Sequence, residues 1–189
     1  MKENKFFAII GPSGCGKGSI IKELKNTYQD FFYPISYTSR PIRDNEKNGE
    51  TYHFVSIEEF QNKIKNNEFL EYQLIHNQHY YGTDRRSIQT KLKESHIIRE
   101  IDYQGFKDIA KVFPKQQLVS IFLTTETWEE LKNRIQKRQA ISEINLKERE
   151  KSYHIELEFA KQCNHIIFNK DQQLDKTVNE VKKIINTYL

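Results

Sequence analysis

The segment Gly11-Pro12-Ser13-Gly14-Cys15-Gly16-Lys17-Gly18-Ser19 limits what this chain can fold into more than any other stretch of it. It follows the apolar run Phe6 to Ile10 and precedes residues 19–25 (SIIKELK), whose apolar spacing is helical, so the order is strand, loop, helix. Glycines at 11, 14, 16 and 18 free the backbone to turn successive N–H groups inward above a helix N-terminus, which makes a nest for phosphate oxygens. Lys17 adds a point cation that can follow a moving phosphoryl charge. The usual phosphate-loop pattern, G-x-x-x-x-G-K-[ST], puts a magnesium-holding hydroxyl after the lysine, and Gly18 stands there instead. Ser19 is no simple substitute, because one helical step rotates a side chain by about 100°. Mg²⁺ is therefore expected to be held mainly by phosphate oxygens and water, a coordination it readily accepts.

The same alternation continues along the chain. Residues 97–102 (IIREID), 118–123 (LVSIFL) and 165–168 (HIIF) read as strands of a buried parallel sheet, with helices expected over 106–112, 128–137, 146–161 and 174–189. The tyrosine-rich region 36–83 stands apart as an insertion. Within it, residues 51–55 alternate as a strand, Ser56 and Glu59 form a capping box for a helix to about residue 66, and 69–75 and 79–81 read as strands joined at Asn77-Gln78.

A chain of 189 residues is about one domain, long enough to bury a real core. The composition, 37% apolar and 30% charged, is that of an ordered protein. Its +4 charge is dispersed, without the concentrated basic stripe that nucleic-acid binding asks for. No run reaches the roughly 18 apolar residues of a membrane span, and the five residues before the glycine loop are too short for a secretory core. The expectation is a cytoplasmic protein with no nucleic-acid or membrane partner. Cys15 and Cys163 lack metal-ligand spacing, and Cys15 reads as a small filler in the loop.

Residues 40–54 contain R-x-x-R-x-x-E-x-x-G-x-x-Y-x-F, formed by Arg40, Arg43, Glu46, Gly49, Tyr52 and Phe54. With Glu71 in EFLEY, Tyr81 and Thr83 in YYGT, Asp102 in EIDYQG and Asn169 in IIFNKD, the chain resembles the guanylate kinase family from Phe6 to about Lys176. The "GKG" of the glycine loop also resembles nucleoside monophosphate kinases. The resemblance implies an α/β fold: a P-loop NTPase-type parallel sheet flanked by helices, an inserted mixed α+β GMP-binding region and a helical lid. It divides the chain into core (1–35, 89–125, 152–189), insertion (36–88) and lid (126–151) within one unit. It implies Mg-dependent transfer of the ATP γ-phosphate to GMP, with dGMP left open, by a monomer or homodimer.

By the same resemblance ATP would meet Gly11, Ser13, Gly14, Cys15, Gly16, Lys17, Gly18, Ser19 and Asn169. GMP would meet Ser36, Arg40, Arg43, Tyr52, Glu71, Tyr81, Thr83 and Asp102. Guanidinium forks and phenols suit a dianionic phosphate, and carboxylates with hydroxyls suit the N–H donors of guanine. Lys17, Arg40 and the lid arginines Arg134, Arg138 and Arg149 would stabilise the transferring group, Arg134 and Arg138 sharing a helix face at i,i+4. No protein atom is expected to bind Mg²⁺ directly; Ser19 and Glu100 would act through its water. The chain departs from the family pattern in five places: Arg40-Pro41-Ile42-Arg43 has its proline one place early, the EFLEY to YYGT interval is one residue longer and Tyr81 to Asp102 one shorter, Glu100 replaces aspartate, and Gln139 replaces glycine. The alternative reading is a non-enzymatic guanylate-kinase-like interaction domain, against which Lys17 and the three lid arginines argue.

Overall fold

A computed structural model describes residues 3–75, 78–138 and 140–189. Its first sheet is wholly parallel. Strand β1 (Phe6–Ile10) is central and pairs with β6 (Ile97–Ile101) on one side and β7 (Leu118–Thr124) on the other, and β8 (His165–Phe168) extends the β7 edge. Every residue of β1 and β7 is buried, as strands covered on both faces must be. Alternation along β1 divides the core: Phe7 and Ile9 face one cluster, and Phe6, Ala8 and Ile10 the other.

The first cluster is closed by α1 (Lys17–Thr27), α5 (Trp128–Arg138) and α7 (Leu174–Tyr188), through Ile20 and Leu24, Leu131 and Ile135, and Val178, Val181 and Ile185. The second is closed by α3 (Arg85–Glu94), α4 (Tyr103–Ala110) and the end of α6 (Glu143–Ala160), through Ile88 and Leu92, Ile109 and Phe159. Each fully buried side chain of this size stabilises the fold by about 1.5–3 kcal/mol, so the two faces of one sheet carry the unit.

The second sheet is mixed, in the order β3 (His53–Phe54), β2 (Tyr37–Thr38), β5 (His79–Asp84), β4 (Phe69–Ile75), with β2 and β3 parallel and the other pairs antiparallel. Helix α2 (Ile57–Lys65) packs on it, opened by the expected capping box: Ser56 accepts from Glu59 N–H and Glu59 accepts from Ser56 N–H. Phe60 of α2 stacks on Phe69 and Tyr80 at centroid distances of 4.3 and 5.1 Å.

Several boundaries differ from the sequence reading, each for a local reason. Helix α1 begins at Lys17 because Gly16, at φ 105°, makes the turn into it. Helix α4 begins at Tyr103 because the Asp102 side chain accepts from Gly105 N–H and caps it. Helix α6 begins at Glu143 because Ser142 caps it through Asn145 N–H. Helix α3 and strand β2 have no counterpart in the sequence reading. Asn77 of the expected turn and Gln139 lie outside the described residues.

Candidate functional site

The glycine loop sits on the carboxyl end of β1, and its shape is dictated by contacts no larger residue would permit. Gly11 (φ 147°) would place a Cβ 1.9 Å from the Leu123 carbonyl oxygen, and Gly16 would place one 2.5 Å from Asn169 Nδ2. Asn169, at the end of β8, donates from Nδ2 to the Cys15 carbonyl at 2.8 Å and accepts from Thr177 Oγ1 at 3.0 Å. It therefore braces the loop from behind. Cys15 is fully buried and burial pushes its thiol up, so its sulfur fills space and is no nucleophile. Lys17 Nζ donates to the Gly11 carbonyl at 2.5 Å and the Pro12 carbonyl at 3.2 Å, a cation parked on the rim of the loop. Ser19 is exposed on the first turn of α1.

Facing the loop across a cleft of about 460 Å³ is the second sheet. Its walls bring together residues expected on each substrate: Ser13 and Lys17 from the loop, Ser36, Tyr52, Glu71 and Tyr81 from the second sheet and the segments around it, and Glu100 and Asp102 from the end of β6. Thr83 lies behind Glu71 and donates a short hydrogen bond from Oγ1 to Glu71 Oε1. Asp102 Oδ1, besides capping α4, accepts from Gln73 Nε2 at 2.8 Å.

Arg40 is nearly buried, with Nη2 on Glu46 Oε1 at 2.7 Å and Nη1 on the Pro41 carbonyl at 2.8 Å. Its guanidinium carbon lies 5.6 Å from the ring centroid of Tyr52, and a hydrogen bond with Tyr81 helps raise its pKa after that to Glu46. Burial raises the Tyr52 phenol too, further favouring its protonated, donor form. Arg43 is apart from this group: it is exposed, and its backbone N–H reaches Glu46 Oε2 at 3.0 Å.

The three arginines expected to close over the phosphates all converge on the loop region. Arg134 Nη2 donates to the Asn169 carbonyl at 2.7 Å, and its Nε lies 3.7 Å from Asp171. Arg149 Nη1 reaches Ser13 Oγ at 3.4 Å. Arg138 and Arg149 line a pocket of about 130 Å³ with Ser13 and Gly14.

A family model described as guanylate kinase matches residues 3–188. The chain belongs to the guanylate kinase family. A guanylate kinase of Caldanaerobacter subterraneus subsp. tengcongensis is 37% identical over 185 residues, covering 97% of this chain and 87% of the relative. One of Campylobacter jejuni is 38% identical over 174 residues, covering 90% and 83% respectively. A crystal structure of guanylate kinase from Anaplasma phagocytophilum superposes with a TM-score of 0.74 at 24% identity, covering 98% of this chain and 86% of that one, and so shares the fold. The expected family and α/β architecture are both borne out, and the chain is a nucleotide kinase by membership.

Within this guanylate kinase fold three residues near the cleft have no role in the sequence reading. Glu46 orients Arg40, and its signal was its place in the R-x-x-R-x-x-E motif. Arg99 on β6 is buried against Ser36 and Glu71, although in sequence it is one polar residue in an apolar run. Glu156 on α6 is 9% exposed, its Oε2 has no partner among the described residues, and burial pushes its carboxyl up to about 7, against the pull of the Lys17 ammonium. Nothing in the α6 sequence separated Glu156 from its charged neighbours.

Among the described residues no cluster of three or more His, Cys, Asp or Glu could hold a metal ion, and no helix is long and apolar enough to cross a membrane. The donor set fits an ion that arrives already coordinated. Glu100 Oε2 lies 3.9 Å from where a Gly18 Cβ would be, which places a carboxylate opposite the first turn of α1 and leaves the rest of the shell to other ligands.

Proposed function

We propose that this guanylate kinase family member transfers the γ-phosphate of ATP to GMP, giving ADP and GDP. The observation that carries the proposal is the shared cleft, in which the glycine loop with Lys17 faces Ser36, Tyr52, Glu71, Tyr81 and Asp102. In this reading the insertion (36–88) takes GMP, the core (1–35, 89–125, 152–189) takes ATP, and 126–151 is the lid. The loop N–H groups and Ser13 receive the ATP phosphates, and Lys17 exchanges its two carbonyl partners for phosphate oxygens.

Tyr52, Tyr81, Arg40 and Arg43 hold the phosphate of GMP, and Glu46 keeps Arg40 aimed before substrate arrives. Glu71, Thr83, Asp102 and Ser36 read guanine. A GMP phosphate oxygen forms the new bond to Pγ as the bond from Pγ to the bridging oxygen breaks. The acceptor is already ionised, so no general base is required. Arg134, Arg138 and Arg149 spread the charge of the transferring group and exclude the water that would otherwise hydrolyse ATP. Mg²⁺, with its water shell steadied by Ser19 and Glu100, would supply further neutralisation of phosphate charge when bound. Convergence of Lys17 and the three arginines on one loop supports an enzyme over an interaction domain built on the same fold.

A coupled assay of ADP formation with GMP, AMP, CMP and UMP tests this directly. Turnover is expected with GMP alone, and equal rates with AMP would overturn the guanine assignment.

A further inference from the structure

The base pocket contains a cation that no part of the proposed reaction uses. Arg99 projects from β6, buried, between the two residues that would read the base. Its Nη2 donates to Ser36 Oγ at 3.1 Å and to Glu71 Oε1 at 3.2 Å. Its Nε is buried with no partner among the described residues, so the guanidinium is placed for these two oxygens at some cost. Thr83 donates to the same Glu71 oxygen from the other side.

We propose that Arg99 is a specificity-determining positioning residue, which fixes the polarity of the base pocket by acting through Ser36 and Glu71. Resting on the GMP reading above, the argument follows from donor and acceptor counts. A guanidinium can only donate. The Ser36 oxygen accepts from Arg99, which turns the Ser36 hydrogen away from the guanidinium and toward the ligand. Glu71 Oε1 takes two donors, while Oε2 accepts none among the described residues and stays open to N–H groups of a ligand. The pocket then offers one O–H donor beside one open carboxyl oxygen. Its complement is a purine with a carbonyl at C6 and a hydrogen on N1. A 6-aminopurine with a bare N1 meets a donor facing an amino group and a carboxylate facing a lone pair.

The charge on Arg99 works against the burial of Glu71. Burial pushes the Glu71 carboxyl up, and Asp102 and Asp108 of α4 push in the same direction; the Arg99 guanidinium is the largest opposing influence, followed by the Thr83 hydrogen bond. Without Arg99 the Ser36 hydroxyl could turn either way, and Glu71 would be a buried carboxylate without its counter-charge.

The experiment compares the wild type with Arg99→Met and Arg99→Lys, measuring KM for GMP and for ATP, kcat, and kcat/KM for GMP relative to AMP. Direct GMP and AMP binding by calorimetry and the melting temperature are measured on the same proteins. Arg99→Met is expected to raise KM for GMP by about tenfold or more and to narrow the GMP-to-AMP preference by a similar factor, with KM for ATP within about twofold. Arg99→Lys, which restores a donor-only cation, is expected to recover most of the GMP affinity although it lacks the fork.

Unchanged GMP affinity and preference in Arg99→Met would overturn the inference. So would equal losses for GMP and ATP that track a fallen melting temperature and are not rescued by lysine. If Arg99→Met does not fold, Arg99→Lys decides, since any recovery of structure without GMP preference also overturns it. Calorimetry separates this inference from the reaction itself. A wild type that binds GMP in an Arg99-dependent way but transfers no phosphate would sink the reaction and keep the inference. A wild type that does not bind GMP would sink both.

Discussion

The glycine loop and the pocket around Glu71 face each other across one cleft, but they are built from different materials. The loop is backbone: Gly11 and Gly16 lie where a Cβ would strike a carbonyl or an amide, and one side chain, Lys17, supplies its charge. The pocket is side chain: Ser36, Glu71, Thr83 and Arg99 come from separate parts of the chain and hold each other by donated hydrogens. A backbone site is specified by steric demand on a contiguous segment, whereas a side-chain site is specified by pairing between distant segments. Substitutions in the loop should therefore divide sharply into those that break the fold and those that break only the chemistry.

Lys17→Met gives the largest expected effect on chemistry. It removes a cation but leaves every glycine in place, so kcat should fall by about a hundredfold or more while the melting temperature stays close to wild type. Near-normal turnover would remove Lys17 from the mechanism. A collapse in stability would mean that its bonds to the Gly11 and Pro12 carbonyls hold the loop together, which would weaken the contrast between the two regions.

Gly11→Ala is the converse. At φ 147° and with a Cβ directed at the Leu123 carbonyl 1.9 Å away, the loop and the end of β7 must separate. Overpacking and left-handed strain together should cost about 3 kcal/mol or more, a fall of roughly 6–12 °C in melting temperature. A stable Gly11→Ala protein would show that the loop tolerates a different backbone path.

Glu156 lies where the two regions interact electrostatically, with Lys17 lowering and Asp102 raising its pKa after the larger effect of burial. Its folded pKa of about 7 exceeds the ordinary 4.5, so the native state retains a proton that the unfolded chain gives up. That contribution to stability is complete below pH 4.5 and is lost as pH rises through about 7. Glutamine never ionises. Glu156→Gln should therefore match the wild type near pH 4.5 and be the more stable protein at pH 8, by up to about 3 kcal/mol in chemical denaturation. Parallel stability curves across that range would show that Glu156 is ionised and well solvated throughout.

How far each region could be read from sequence follows the same division. The loop was legible because steric demand leaves a contiguous trace: an apolar strand, spaced glycines, a lysine and a helix in order. Strand β7 was legible because burial on both faces leaves an apolar run broken only by Ser120 before its final threonine, and α2 because Ser56 and Glu59 cap it within four residues. Helix α3 was missed because its buried contribution is only Ile88 and Leu92, set among charged and polar residues. The two residues of β2 hold no period at all. In the site, Glu71 and Ser36 were reached through resemblance to a family. Arg99 had no such route: a buried arginine is identified by its partners, and these lie 63 and 28 positions away.

The smallest expected effect concerns Gly18, the glycine in place of the usual hydroxyl. It differs from its neighbours in the loop, since its φ is not in the left-handed region and a Cβ there would meet only Glu100 Oε2 at 3.9 Å, an ordinary contact. Nothing steric in the fold requires glycine there. Gly18→Ala, in the first turn of α1, should raise stability by about 0.5 kcal/mol through helix propensity. KM for ATP should change little, because alanine brings no ligand to an ion that arrives coordinated by phosphate and water. A large rise in KM for ATP with unchanged stability would mean that the hydrated ion occupies the space between Gly18 and Glu100. The glycine would then be required by the metal's water shell and not by the backbone, which would move it from the first kind of site to the second.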